Sequence, residues 1–397
     1  MKTNSVCYIF VNYPAPSEVF GEVEMNSLSD IGVEVNVASL FAKNKKRLSE
    51  GELENTFYGS FYSFSSFLGL LARPRLFLST IRFLFTQTKT WSEAVKSFGA
   101  TLPALAIANY IKDNNIGVAH CFWGHYPSLV VFFLRRIGYT GRCSVFTGAY
   151  DLVMRGGLME WGVNNADIVF THTKANVPVI RSFYNGEINV IYRGVNCLVS
   201  KDKFQANMQK KLADCSISLA FAGRLIRDKH PDICIELLRV IRSLGFESSL
   251  HIFGSGPEQK KLMRQVYEAG LENNVIFYGH VDQSSMFKIM ESIGFFLFPS
   301  KHSSERLPNV VKEAMLLGCV PVVSDTPGIQ ELVIDGENGF ISDFSDLQAL
   351  ALKLCNLMNT DQYAPLAVSA TRKVLRDFNN RDLSAKRASL WFDRGFK

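Results

Sequence analysis

"ISLAFAGRLIRDKHPDICIELL", residues 217–238, holds an apolar run, a charged loop and an amphipathic pattern that starts near Pro231. The run does not alternate, so a strand there needs cover on both faces. Proline suits a helix start, where its missing N–H costs nothing. Strand, loop and helix in this order are the opening of a βαβ unit. The same grammar continues downstream with "SLHIFGSG" (249–256), "NVIFYGH" (274–280), "GFFLFPS" (294–300) and "CVPVVSD" (319–325). Upstream it runs through "VCYIFVN" (6–12), "VEVNVASL" (33–40), "VAHCFW" (118–123), "CSVFT" (143–147), "DIVFTHT" (167–173) and "INVIYRG" (188–194). The polar stretch "SKDKFQANMQKKLADCS" separates the two series. An α/β chain of two doubly wound, Rossmann-like domains follows, with ligands at the carboxyl ends of the strands and a cleft between the domains.

Bulk properties agree with this. The 397 residues exceed one ordinary core, and 47% hydrophobic with 20% charged residues is globular. The expected boundaries are 1–196 for the first domain, 197–216 for a linker, 217–375 for the second domain and 376–397 for a C-terminal helix. That helix, with Trp391 and Phe392, needs a surface to bury them and could cross back to the first domain. The opening residues lack the length and cleavage site of a signal peptide, and no stretch offers 18 apolar residues without charge. The eight cysteines are scattered with no CxxC, which is cytosolic usage. The net charge of +6 is mild, but "KNKKR" (43–47) is compact. Residues 57–88 hold seven of the 31 phenylalanines, with Arg73, Arg75 and Arg82 and no acid. Such a segment is either a core helix pair with snorkelling arginines or a docking face for an anionic membrane. No nucleic-acid module is present.

Three places carry candidate chemistry. Arg224 ends a strand and Lys229 lies in the following loop, two cations at a helix entrance that suit a diphosphate. Strands often end in arginine, so the pair alone decides little. "FGSGPEQKKL" (253–262) allows close backbone approach at Gly254 and Gly256 but lacks the third glycine of a dinucleotide fingerprint. "SSERLPNVVKEAMLLGCVPVV" (303–323) puts Glu305 in a loop and Glu313 in the helix after it. Pro308 suits the first helical position, leaving the N–H groups of Asn309, Val310 and Val311 free for a phosphate or sugar hydroxyl. Both acids are equally accounted for by the helix dipole. No DxD occurs, and nothing calls for a metal or other cofactor.

The order of these elements resembles the family-4 retaining glycosyltransferases of the GT-B fold, nearly end to end. "ERLPNVVKEAMLLGCVPVVSDTPGIQELVIDGENGF" is similar to the family's signature of a glutamate, seven residues and a second glutamate, with its downstream Pro-Val, Gly-Ile-x-Glu-Leu and Asn-Gly elements. "GRLIRDK" is similar to its arginine–lysine phosphate clamp. "YPAPSEVFGEVEMNSL" resembles the opening of the branch that builds bacterial surface polysaccharides, and "YRGVN" the element that ends the N-terminal domain.

The resemblance implies roles for particular residues. Arg224 and Lys229 hold the diphosphate as leaving group, and Glu305 faces the donor sugar. The backbone of Pro308, Asn309 and Val310 contacts the sugar or phosphate, and Glu313 binds the ribose. Gly254 and Gly256 line the nucleotide cleft, while Gly279, His280 and Val281 hold the base. Ser17, Glu18, Gly21 and Asp151 lie on the acceptor side. It further implies a nucleotide-sugar donor, a lipid-linked or lipopolysaccharide glycan as acceptor, and cytoplasmic work at the inner face of the membrane. Three positions depart from the pattern. Gly148 stands where the family has a histidine three residues before Asp151, with His120 and His125 nearby. Arg306 and His230 stand where glycines are usual. A soluble acceptor, or a non-catalytic sugar-nucleotide-binding subunit, are the alternatives.

Overall fold

The computed structural model describes residues 4–15, 19–42, 56–196, 201–213, 216–302 and 304–393. Ser17, Glu18 and the 43–47 cluster lie outside the described residues. The chain forms two units, Met1–Gly194 with Asn380–Lys397, and Val195–Asn379.

The first unit begins with β1 (Ser5–Asn12), α1 (Val19–Asp30), β2 (Glu34–Phe41) and β3 (Thr56–Tyr58). Three helices follow, α2 (Ser63–Leu71), α3 (Pro74–Gln87) and α4 (Trp91–Asp113). Alternation then resumes with β4 (Val118–Cys121), α5 (Ser128–Arg136), β5 (Arg142–Phe146), α6 (Ala149–Met154) and α7 (Gly157–Asn165). The series ends with β6 (Ile168–Thr171), α8 (Val177–Arg181) and β7 (Ile188–Val190). The strands lie in the order β3-β2-β1-β4-β5-β6-β7, every pair parallel. Successive residues of β1 serve opposite cores. Cys7 and Ile9 pack with Ala104, Ile107 and Phe132, whereas Val6, Tyr8 and Phe10 pack with Met25, Leu28 and Phe122. This is why the run is apolar throughout: both faces of the strand are covered.

The second unit comprises α9 (Lys201–Ala213), β8 (Ile217–Ala222), α10 (Pro231–Ser243), β9 (Ser248–Phe253), α11 (Gln259–Glu268), β10 (Val275–Gly279) and α12 (Gln283–Met290). It continues with β11 (Phe295–Phe298), α13 (Asn309–Leu316), β12 (Val320–Val323), β13 (Phe340–Ile341), α14 (Leu347–Met358) and α15 (Tyr363–Asp377). Its sheet runs β10-β9-β8-β11-β12-β13, again parallel. The polar stretch before β8 is helical, and α9 packs on this unit. Met208 and Lys211 are buried, and the Lys211 Nζ donates to the Leu317 carbonyl at 2.8 Å.

The chain closes with α16 (Asn380–Phe392), which belongs to the first unit and packs on α1. Trp391 is 1% exposed among Tyr8, His120 and Phe170, and its Nε1 donates to Ser144 Oγ at 3.0 Å. Arg387, also buried, pairs with Glu24 at 2.8 Å, and Tyr8 donates to the same carboxylate. A buried ion pair of this kind needs its further hydrogen bond to offset desolvation.

Candidate active site

The expected apolar runs of the second unit end earlier as strands than as hydrophobic sequence, and their last residues become loops. The crevice beyond the strand ends lies where the strand order reverses, between β8 and β11. Arg224 and Lys229 come from the β8 side of it, and Glu305 from the β11 side.

Lys229 closes a single 3-10 turn ahead of α10. Its Nζ lies 2.9 Å from Glu305 Oε1, with both side chains mostly buried, and 5.3 Å from the centre of the Phe298 ring. One backbone tie joins the same two loops, and a second shapes the loop after β11. Lys301 N–H donates to the Asp228 carbonyl at 2.9 Å, and Glu305 N–H to the His302 carbonyl at 3.0 Å. Arg224 is exposed, and among the described residues its guanidinium has no partner. The site therefore presents one free cation beside a cation and a carboxylate already in contact. A cavity of about 220 Å³ opens nearby between the loops that follow β11 and β12, lined in part by Lys301, His302 and Ser324.

The glycines have a stricter reason than closeness to a ligand. Gly254 has φ +117°, and a Cβ there would lie 2.0 Å from the Gly223 carbonyl oxygen. At Gly256 it would lie 2.3 Å from the Leu225 oxygen. The loop after β9 can thus press against the loop carrying Arg224 only without side chains. Gly279, in contrast, has φ +66° with open space around it, and its carbonyl accepts from Gly254 N–H at 2.7 Å. His280 is exposed and Val281 half-buried just beyond.

Around α13 the structure corrects one expectation. Pro308 (φ −64°, ψ 128°) is the N-cap, not the first helical residue. Its carbonyl accepts from Val311 N–H at 3.2 Å and Lys312 N–H at 3.4 Å, so Val311 does not offer a free donor. Among the described residues, the N–H groups of Asn309 and Val310 have no acceptor. The Asn309 side chain accepts from Lys312 Nζ at 3.0 Å.

Glu313 is half-buried, and Gln283 Nε2 donates to its Oε1 at 2.7 Å. Gln283 opens α12 and was not foreseen, because nothing in its local sequence points toward a residue 30 positions on. Burial raises the Glu313 carboxyl above its usual 4.5, against the Gln283 bond and the Lys312 charge. An acid raised by folding stabilises the fold below its unfolded value, and that stability is lost as pH rises through the folded one. Glu313→Gln is therefore expected to melt above the wild type at pH 7. The gap should close as pH falls below 4.5. Equal melting at both values would show that the carboxylate carries no desolvation cost.

In the first unit, Gly21 is buried, and a Cβ there would lie 3.2 Å from the Phe10 ring and 3.3 Å from that of Phe122. Helix packing alone requires its smallness. Asp151 is 3% exposed, and its Oδ2 accepts from Gly148 N–H at 3.0 Å, capping α6. His125 Nδ1 lies 3.1 Å from its other oxygen. A Cβ on Gly148 would meet the Trp123 ring at 2.6 Å, so the indole holds the space a side chain at 148 would need. Arg193, unmarked in the sequence, stacks over Trp123 at 5.2 Å and Phe146 at 4.8 Å. His120 is a core residue: it contacts Ser144 Oγ at 2.8 Å, and burial, helped by the Arg387 charge, holds it well below its ordinary value.

Residues 201–374 match the family described as glycosyl transferases group 1. The matched stretch takes in most of the second unit. A protein of Escherichia coli bearing the name of a colanic acid biosynthesis glycosyltransferase is 30% identical over 181 residues, 44% of each chain. The match thus spans less than half of that curated relative. An uncharacterised glycosyltransferase of Haemophilus influenzae is 25% identical over 83% of this chain and 86% of its own. The Anabaena protein HepE, solved with UDP, superposes with a TM-score of 0.71 at 17% identity over 98% of this chain and 100% of its own. That likeness concerns the fold, which is GT-B with two Rossmann-like units. Arg224, Lys229, Glu305 and Glu313 all fall within the matched stretch.

Proposed function

We propose that this chain is a retaining glycosyltransferase of surface-polysaccharide synthesis. It moves a sugar from a nucleoside diphosphate to a lipid-linked or lipopolysaccharide glycan, with no metal. The observation that carries the reading is the Lys229–Glu305 contact at the strand-order reversal, with Arg224 free beside it. A diphosphate there meets two cations without further ionic help. A sugar on it lies against a carboxylate that can steady positive charge at the anomeric carbon. The bond from that carbon to the diphosphate breaks, the acceptor oxygen bonds on the same face, and the departing phosphate takes the acceptor proton. No protein carboxylate becomes a covalent nucleophile, which a two-carboxylate glycosidase arrangement would need. Glu313, oriented by Gln283, takes the ribose hydroxyls, and UDP is the nucleotide to titrate first because HepE was solved with it. The lipid of the acceptor sets this chemistry at the inner membrane face.

A second reading, a binding subunit without turnover, is favoured by one observation: Trp123 occupies the space at Gly148. Donor kinetics and UDP titration on two variants test both. Glu313→Ala should lose affinity for UDP and donor alike by about 1.5–3 kcal/mol, mostly in KM. Glu305→Gln should lower kcat about tenfold with UDP affinity nearly intact, since its charge matters as the transition state forms. Small, matched effects would leave only the helix-dipole explanation. UDP binding with no turnover in the unsubstituted protein would establish the subunit.

A further inference from the structure

We propose that a cavity walled by Arg73, Arg75 and Arg136 binds the phosphate of an anionic lipid headgroup, with apolar stripes of α2, α3 and α4 entering the bilayer interface around it. The proposal rests on the lipid-linked acceptor of the preceding reading and gives the membrane a defined site on the first unit.

The cavity measures about 560 Å³ and is also lined by Leu76 and Ser79. Arg73 and Arg75 flank the start of α3, and Arg136 ends α5. Among the described residues, none of the three guanidinium groups is paired with a carboxylate. Arg136 is nevertheless held in place. Its guanidinium carbon lies 3.6 Å from the centre of the Phe132 ring, and it donates one N–H to the Phe132 carbonyl at 3.2 Å, which leaves its other donors available. Residues 57–88 contain no acid that could serve as counter-ion. Three like charges around one hollow repel unless an anion joins them, and the guanidinium fork matches a phosphate.

The surrounding helices are two-faced. On α2, Leu70 and Ser66 are buried, while Phe64, Phe67, Leu68 and Leu71 form an exposed stripe at helical spacing. On α3, Phe83 and Leu84 face the core, and Leu78 and Phe85 face out one heptad apart. The first turns of α4 expose Trp91, Val95 and Phe98 in the same way. Trp91 is 77% and Phe64 76% exposed, and α3 packs on both α2 and α4. Exposed apolar stripes on three neighbouring helices mark an interaction surface. Unpaired arginines set among Trp and Phe favour a lipid interface over an acidic protein, since such stripes reach apolar acyl chains while cations meet headgroups. Among the described residues no helix is long and apolar enough to cross a membrane, so attachment would be from the surface.

Co-sedimentation of the full chain tests this with three vesicle types: phosphatidylcholine alone, phosphatidylcholine with phosphatidylglycerol, and phosphatidylcholine with oleate at matched surface charge. Binding should be strongest with phosphatidylglycerol and fall with salt. Each arginine near such a surface contributes about fivefold, so the triple variant Arg73→Gln, Arg75→Gln, Arg136→Gln should bind about a hundredfold more weakly. A control with equal charge loss on α11, Lys260→Gln, Lys261→Gln, Arg264→Gln, should change little. If the triple variant melts, Arg75→Gln alone, at an exposed side chain, should still show the fivefold loss. Equal binding of both triple variants, equal binding to oleate vesicles, or binding only to a protein partner would each overturn the proposal. UDP titration on the same samples separates the two readings. Lost vesicle binding with intact UDP binding condemns the lipid site alone, and the reverse condemns the transferase reading alone.

Discussion

Replacing Arg224 by alanine is expected to lower kcat by about a hundredfold to a thousandfold, as for loss of one fixed donor to developing charge. The melting temperature should not move, because the side chain is exposed and, among the described residues, unpartnered. Lys229 provides the contrast. Lys229→Ala should also strip the proposed diphosphate site of a cation, but it leaves Glu305 mostly buried and without its 2.9 Å partner. That variant should lose both activity and stability, since an orphaned buried charge is costly. Adding Glu305→Gln to it should restore the melting temperature and not the rate. Steady-state kinetics and thermal melts on the three proteins decide the matter. Full activity in Arg224→Ala would remove the clamp from the mechanism.

Trp391→Ala is expected to destabilise the first unit by about 3–5 kcal/mol. The indole fills the core beside Tyr8, His120 and Phe170, and its N–H satisfies Ser144. A unit of this size should then melt on the order of 10 °C lower. Trp391→Phe keeps most of the apolar volume and loses one hydrogen bond, so it should cost only about 1 kcal/mol beyond any packing loss. Denaturant titration followed by circular dichroism measures both. UDP affinity should stay unchanged below the transition, because the residues proposed to hold the nucleotide lie in the other unit. Wild-type melting of Trp391→Ala would mean that α16 is an ornament on the sheet rather than part of its core.

The pattern of apolar runs by itself determined the two doubly wound sheets, because a strand covered on both faces must be hydrophobic at every position. β1 shows this residue by residue, with Cys7 and Ile9 in one core and Tyr8 and Phe10 in the other. Strands β3 and β13 escaped notice because they are only three and two residues long and, unlike the equally short β7, were not read as part of a longer strand-like run. Spacing around Pro231 and Pro308 likewise marked where charged loops meet helices, and so Arg224, Lys229, Glu305 and Glu313 could be named as candidates. What they touch was decided only by tertiary structure. The Lys229–Glu305 contact joins loops 76 positions apart through the adjacency of β8 and β11, and Gln283 reaches Glu313 from another helix. Pro308 took the N-cap rather than the first turn because its ψ of 128° is extended, a matter of how the loop enters. The same holds for Trp391, whose burial depends on a sheet built from the other end of the chain. Local sequence sets periodicity and capping through nearest neighbours, whereas charge pairing and burial depend on which distant strands become adjacent.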